Sequence, residues 1–378
     1  MGFAINHERL KAVLSYFVEG SEILETEILP GGHIHQTLRV ELATDQARRS
    51  VIVQKLNTDV FSEPEKIMAN IKFVSDHLNR KKRTSQDRSY SMEVLSPMET
   101  IDGRPGMWYE GSYWRVFPFF HDALCASTAE SSEVAYSAGL AFGQFGYFLG
   151  DLDTTCLHET ITGFHSGRLR IRQFEDAKRE DRVHRHHSIK DFIDELHSCL
   201  GTLETFDDLK NNLPKRVIHH DAKLNNVLLN QHSYAPVAVI DLDTVMPGSV
   251  LSDFGDLVRS LTSPHAEDVA TTDIQMNMPF FEALSRGYLE ACGSILTPQE
   301  GENLVFGACA ITLMVATRFT TDYLNGDCYF ETSYPDQNLD RARNQFALFK
   351  EFESRSTTMN TYIERCLTQT VKTFPASS

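Results

Sequence analysis

The sequence predicts an α+β chain folded as two lobes, a small strand-rich one over residues 1–118 and a larger helical one over residues 119–378. Three observations carry that expectation. Short runs alternating apolar and polar residues crowd the first 118 positions, as half-buried strands require. Beyond Pro118 the apolar residues recur at helical spacing, as Ala138, Ala141, Phe142, Phe145 and Phe148 do within residues 130–149. A polar run, His219-His220-Asp221-Ala222-Lys223-Leu224-Asn225-Asn226, then stands between two β-prone stretches, residues 215–218 and 227–229. A chain of 378 residues exceeds the usual single unit, and its 24 Phe suffice to fill more than one core.

Taken in order, residues 7–20 read as a short helix and residues 23–29 as a strand. Pro30-Gly31-Gly32 makes a turn, and residues 37–42 alternate as a second strand. Residues 50–56 form a third. Ser62 caps a helix that carries Pro64 in its first turn and Ile67, Ile71, Val74 and Leu78 on one face. The last strand of the lobe is Tyr113-Trp114-Arg115-Val116-Phe117, and Pro118-Phe119-Phe120 is the natural hinge. Arg80-Lys81-Lys82-Arg83 reads as a solvated loop. His184-Arg185-His186-His187 lacks further ligands at metal-binding spacing and reads as an exposed connection between helices.

The polar run has the form H-x-D-x-x-x-x-N, and Asp241-Leu242-Asp243 closes the apolar run Val237-Ala238-Val239-Ile240 that follows it. Moving a phosphoryl group to a hydroxyl asks for an aligned acceptor and cations on the phosphate oxygens. Asp221 is suited to orient the acceptor, Asn226 and Asp241 to hold Mg²⁺, and Lys223 to touch the transferred phosphate. Asp243 either shares the metal or ties down residues 244–249. Asn and Asp also favour ordinary turns, but the strand–loop–strand setting speaks for chemistry. Asp253-Phe254-Gly255 mimics a metal motif, yet it opens a helix, so Asp253 reads as a cap. A strand-rich lobe, then a helical lobe with the chemistry near its start, is the order of a protein-kinase-like fold.

The nucleotide side is less sharply written. Gly31 and Gly32, between the first two strands, let backbone N–H groups approach the phosphates of ATP. No G-x-x-x-x-G-K-[ST] run is present, which excludes P-loop kinases. On the third strand, Gln54 and Lys55 point to opposite faces, so only one enters the cleft. Lys55 with Glu63 or Glu65 as partner is one arrangement, and a solvent-exposed Lys55 is the other. Phe117 and Phe119 are the hinge residues expected to border the nucleotide.

This motif set resembles the aminoglycoside phosphotransferase and choline kinase superfamily. More narrowly it is similar to bacterial N-acetylhexosamine 1-kinases. The similar stretches are Gly32-His33-Ile34, residues 113–117, residues 221–226, residues 240–249 with Asp253-Phe254-Gly255-Asp256, and a tail from Arg318-Phe319 through Asp322-Tyr323-Leu324 to Tyr334-Pro335. The resemblance implies transfer of the ATP γ-phosphate to the anomeric hydroxyl of GlcNAc or GalNAc. It makes Asp221 the base, Asn226 and Asp241 the Mg²⁺ ligands and Gln54 the cleft-facing residue of its strand. It also implies a sugar pocket built from His33, Arg318, Asp322 and Tyr323. The stretch Gly163–Leu169 departs from the family pattern, which touches the acceptor more than the reaction.

Composition limits the partners. A net charge of −16 argues against broad nucleic-acid binding, which needs Lys and Arg to neutralise phosphates. Seven scattered Cys without a C-x-x-C pair suggest reduced thiols in a cytoplasmic protein. No apolar run of ~18 residues suggests a membrane span, and residues 1–8 lack the pattern of a signal peptide. The expected partner is a small sugar, and the expected state a monomer or weak homodimer. Two rival readings stand: a kinase for aminoglycosides, choline or homoserine, and a kinase fold without catalysis.

Overall fold

Alternating apolar residues pair into one antiparallel sheet in the first lobe of the computed structural model, which describes residues 7–29, 35–44, 47–84 and 90–373. The lobe runs α1 (His7–Ser15), β1 (Glu22–Ile28), β2 (Gln36–Ala43), β3 (Arg48–Lys55), α2 (Pro64–Thr84), β4 (Met107–Tyr109) and β5 (Ser112–Pro118). Sheet order is β1-β2-β3-β5-β4. Period-two alternation gives the sheet two different faces. Val40, Val51, Val53, Trp114 and Val116 face one way and pack with Leu10, Val13 and Leu14 of α1. Thr37, Gln54 and Arg115 are directly opposite one another on adjacent strands and lie on the other face.

That second face looks towards α2, whose Ile67, Ile71, Val74 and Leu78 belong to the large core shared with the helical lobe. Buried Asn70 of α2 donates to His158 O at 2.8 Å and Val245 O at 2.9 Å, and accepts from His158 N–H at 2.8 Å. Its three bonds tie α2 to the second lobe. The basic run is not a loop: Lys81, Lys82 and Arg83 complete the last turn of α2. Cations are favoured there by the helix dipole, and Lys81 and Lys82 also meet Asp151 and Glu93.

The second lobe continues with β6 (Ala123–Cys125), α3 (Ser132–Phe148), α4 (Gly167–Glu180), α5 (Lys190–Ser198), α6 (Gly201–Asn212), β7 (Arg216–Ile218), β8 (Val227–Asn230), β9 (Pro236–Val239) and β10 (Met246–Gly248). Then come α7 (Val250–Thr262), α8 (Met278–Cys292), α9 (Pro298–Glu302), α10 (Leu304–Asn325) and α11 (Gln337–Thr373). The Ser131 hydroxyl caps α3 by accepting from Val134 N–H. Gly139 lets α3 lie directly on α8, for a Cβ there would stand 2.1 Å from Leu284 O. Short strands frame the polar loop: β10 pairs with β7, and β8 lies between β6 and β9.

One expectation about the membrane needs correction. By length and composition α10 is apolar enough to cross a bilayer. It is instead a core helix, with 78% of its most apolar window buried. Its buried Thr312, Thr317 and Thr320 hydroxyls are satisfied by carbonyls one turn back. These threonines interrupt the run when the sequence is read for strictly apolar residues.

Candidate active site

The loop between β7 and β8 is held rigidly before any ligand arrives. His220 takes a left-handed backbone conformation with φ of 65°, which a non-glycine residue adopts only when its surroundings compensate. The compensation comes from Asp253 of α7. Its two oxygens accept the N–H groups of His219 and His220, each at 2.7 Å. Asp253 is thus a brace rather than a helix cap; the cap of α7 is Ser249. His219 adds a second brace. Its Nε2 donates to Ile240 O at 2.9 Å while Nδ1 accepts from Asp221 N–H at 3.3 Å. The carbonyl can only accept, so this imidazole carries its proton on Nε2.

Asp221 projects from the braced turn, half-buried with 28% of its side chain exposed. Asn226 Nδ2 donates at 2.8 Å to both its backbone oxygen and Oδ2, and Lys223 Nζ lies 3.0 Å from Oδ2. Burial works to raise its pKa, but Lys223, His219 and Asn226 outweigh that and hold it below the usual value. Asp221 is therefore ionised at neutral pH and poised to accept a hydroxyl proton. With the Asn226 nitrogen committed to Asp221, the amide oxygen is the atom left for a metal.

Asp241 follows β9 in a left-handed conformation, φ 58°. It is open to the cleft and makes no hydrogen bond among the described residues. Burial of its surroundings, then the charges of Asp243 and Asp221, push its pKa up to about 6. An unpaired carboxylate crowded by two others is a site short of positive charge. Mg²⁺ binds through one or two carboxylates, carbonyl-type oxygens and substrate phosphates. Asp241 and the Asn226 oxygen fit that cation.

Asp243 does not behave as a metal ligand. Both its oxygens are engaged by Arg115, Nη1 on Oδ1 and Nη2 on Oδ2 at 2.9 Å, while His35 Nε2 lies 2.6 Å from Oδ2. Both members of the ion pair are nearly inaccessible, 2% and 3% exposed. Burial alone would raise the Asp243 pKa, but Arg115 and His35 drive it far below the ordinary range. Arg115 Nε also donates to Gln54 Oε1 at 2.9 Å, and Gln54 Nε2 to Thr37 at 3.0 Å. Gln54 therefore shares the face of the Arg115–Asp243 pair. Lys55 points to the opposite face, where Trp114 is its cross-strand neighbour. Glu63 and Glu65 are not its partners, since Glu63 meets Lys66 and Glu65 accepts from Trp108. The buried cation of this lobe comes from β5 rather than β3. An arginine flanked by Trp and Val in an apolar strand was the available signal, because buried Arg is rare unless paired.

At the hinge, Phe117 is buried beneath the Arg115 guanidinium, and Phe119 lies under that of Arg39 at 4.6 Å. Gly31, Gly32 and His33 lie outside the described residues. In the tail, Arg318 sits over Phe164, Tyr329 and Phe330. Asp322 and Tyr323 are both engaged within the tail. Asp322 accepts from Cys328, Tyr329 and Phe330 N–H groups and from Asn338, folding the loop after α10. The Tyr323 hydroxyl donates to Asp336 at 2.8 Å and its ring lies under Arg185. The family resemblance grouped these three tail residues, and the structure places all of them on α10 with different surroundings.

Asp253→Ala is expected to weaken the enzyme without touching a reacting atom. It orphans two buried N–H groups, each worth about 1–3 kcal/mol, and frees the loop that aims Asp221. Burial pushes the Asp253 pKa up to about 6. Because the folded state binds this proton more tightly than the unfolded chain, the stability linked to Asp253 declines as pH rises from about 4 to 6. Activity moves the other way, since only the carboxylate accepts both bonds. A pH profile of kcat with an acid limb near 6 that becomes shallower in Asp253→Ala, where Asp241 alone is left to titrate there, is the expected result.

Fold and site together define an ATP-dependent small-molecule phosphotransferase. Residues 87–290 match the family model described as the phosphotransferase enzyme family, more than half of the chain, and the protein belongs to that family. Solved structures agree on the fold. An aminoglycoside phosphotransferase from Alicyclobacillus acidocaldarius is 14% identical with a TM-score of 0.61, over 97% of this chain and 98% of its own. A choline kinase from Cryptosporidium parvum is 9% identical with a TM-score of 0.57, over 96% and 99%. An ethanolamine kinase from Plasmodium vivax is 11% identical with a TM-score of 0.51, over 88% and 85%.

Proposed function

We propose that this protein transfers the γ-phosphoryl group of ATP to the anomeric hydroxyl of an N-acetylhexosamine or a close relative, giving a sugar 1-phosphate. Asp221 accepts the hydroxyl proton and aims the oxygen at phosphorus. Lys223, 3.0 Å from Asp221, steadies that carboxylate beside the transferred group. Asp241 and the Asn226 oxygen hold Mg²⁺, which when bound neutralises charge on the phosphate oxygens. Backbone geometry aligns the reactants in advance, where most of the gain in phosphoryl transfer lies.

The observation that favours a sugar is the character of the surface beside the catalytic loop. Around the rings of Phe164 and His165, which adjoin His220, stand two arginines, Arg170 and Arg318, without a carboxylate partner among the described residues. Choline, ethanolamine and aminoglycosides are cations and gain nothing there. A sugar gains hydrogen bonds to its hydroxyls and an aromatic wall. ADP release should be measured against N-acetylhexosamines, hexoses, sugar acids, choline, ethanolamine and aminoglycosides, with phosphorus NMR locating the new ester. Turnover of the amino alcohols with none of the sugars would overturn the proposal.

A further inference from the structure

Rings lead from His220 through His165 and Phe164 into a cationic cluster. The His165 ring centre lies 5.3 Å from that of His220, and Phe164 stacks on His165 at 4.7 Å. Arg318 of α10 sits 5.6, 5.7 and 5.3 Å from the ring centres of Phe164, Tyr329 and Phe330. Arg170 of α4 donates to Phe164 O at 2.7 Å and Gln173 Oε1 at 2.9 Å. Among the described residues neither guanidinium has a carboxylate partner. Burial and the neighbouring Arg318 charge pull the Arg170 pKa down to about 10.

Three buried nitrogens here lack partners among the described residues: Nδ1 of His165, Nδ1 of His220 and Nε of Arg170. Both imidazoles are neutral, because burial lowers the pKa of His220 to about 3 and that of His165 well below its usual value. Two like charges held together away from water are unfavourable unless an anion joins them. Buried N–H and ring nitrogens likewise call for a hydrogen-bonding ligand. The protein as a whole carries −16, so this concentration of positive charge is local.

We infer that Arg170 and Arg318 form an anion-accepting subsite beside the catalytic loop, so that the preferred acceptor is an acidic sugar with a carboxylate or phosphate in addition to the hydroxyl phosphorylated. Guanidinium forks match both anions, and the two neutral imidazoles suit sugar hydroxyls. This inference rests on the sugar-kinase reading and narrows it from neutral to acidic members.

Calorimetric titration of the full chain with N-acetylglucosamine, N-acetylglucosamine 6-phosphate and glucuronate tests it, each in the presence of Mg²⁺ and a non-hydrolysable ATP analogue. At least one acid should bind roughly tenfold or more tightly than the neutral sugar, a difference of about 1.4 kcal/mol. The tighter acid identifies phosphate or carboxylate as the group recognised. The advantage should vanish in Arg318→Gln and Arg170→Gln and persist in part in Arg318→Lys, which keeps the charge if the glutamine variants fold poorly. Neutral and acidic sugars binding the wild type equally would overturn the inference. So would an acid advantage that survives Arg318→Gln and Arg170→Gln in folded protein. Acid binding without turnover of any sugar would sink the kinase reading alone.

Discussion

Asp221→Asn is expected to lower turnover by roughly two to four orders of magnitude, the usual contribution of a positioned base. Asparagine keeps the shape of the side chain and an oxygen to accept from Asn226, whose Nδ2 lies 2.8 Å away. It loses the proton-accepting charge that Lys223 and His219 maintain. The braces on the loop, from Asp253 and His219, are untouched by the change. Unfolding midpoint and nucleotide affinity should therefore stay close to wild type while ADP release collapses. Turnover within a few-fold of wild type would remove Asp221 from its role, and with it the assigned chemistry.

Arg115→Met should have the largest effect on stability. Methionine fills much of the arginine's volume in apolar surroundings but leaves the buried Asp243 carboxylate with His35 as its remaining side-chain partner among the described residues. Breaking a buried pair from one side typically costs about 3–5 kcal/mol, because one charge stays behind without compensation. Adding Asp243→Asn should recover part of the loss. Urea denaturation of both variants at neutral pH measures each. The sign of the pH dependence follows from Asp243, whose folded pKa is depressed. In the wild type its stabilisation is present above the unfolded value near 4 and is lost only in strong acid. In Arg115→Met burial is left to raise that pKa, so Asp243 protonates in mild acid and the gap to wild type narrows there. A gap below 1 kcal/mol at neutral pH, or one that widens on acidification, would contradict this account.

The pair also explains what was legible in advance. H-x-D-x-x-x-x-N spans a single loop, so Asp221, Lys223 and Asn226 are close in sequence and in space, and their relation could be read directly. Strand alternation showed that Gln54 and Lys55 diverge, but choosing between them needed the partner strand, since Arg115 of β5 marks the functional face. Asp253 was legible as structural but not as the brace of a loop more than thirty positions upstream. In the tail, the family resemblance grouped Arg318, Asp322 and Tyr323, while packing turned the last two inwards to hold the loop that carries Tyr329 and Phe330.

The sequence by itself determined the two-lobed class, the position of the polar loop between β7 and β8 and the reaction type. Hydrophobic period and short motif spacing are local properties that survive without knowledge of tertiary contacts. Only the tertiary structure decided that Asp243 belongs to Arg115, 128 positions away, and not to the metal. It alone brought Arg170 of α4 near enough to Arg318 of α10 for the two charges to act on one another. A side chain's partner is set by packing between distant elements, and the low dielectric of that packing makes the choice energetically decisive.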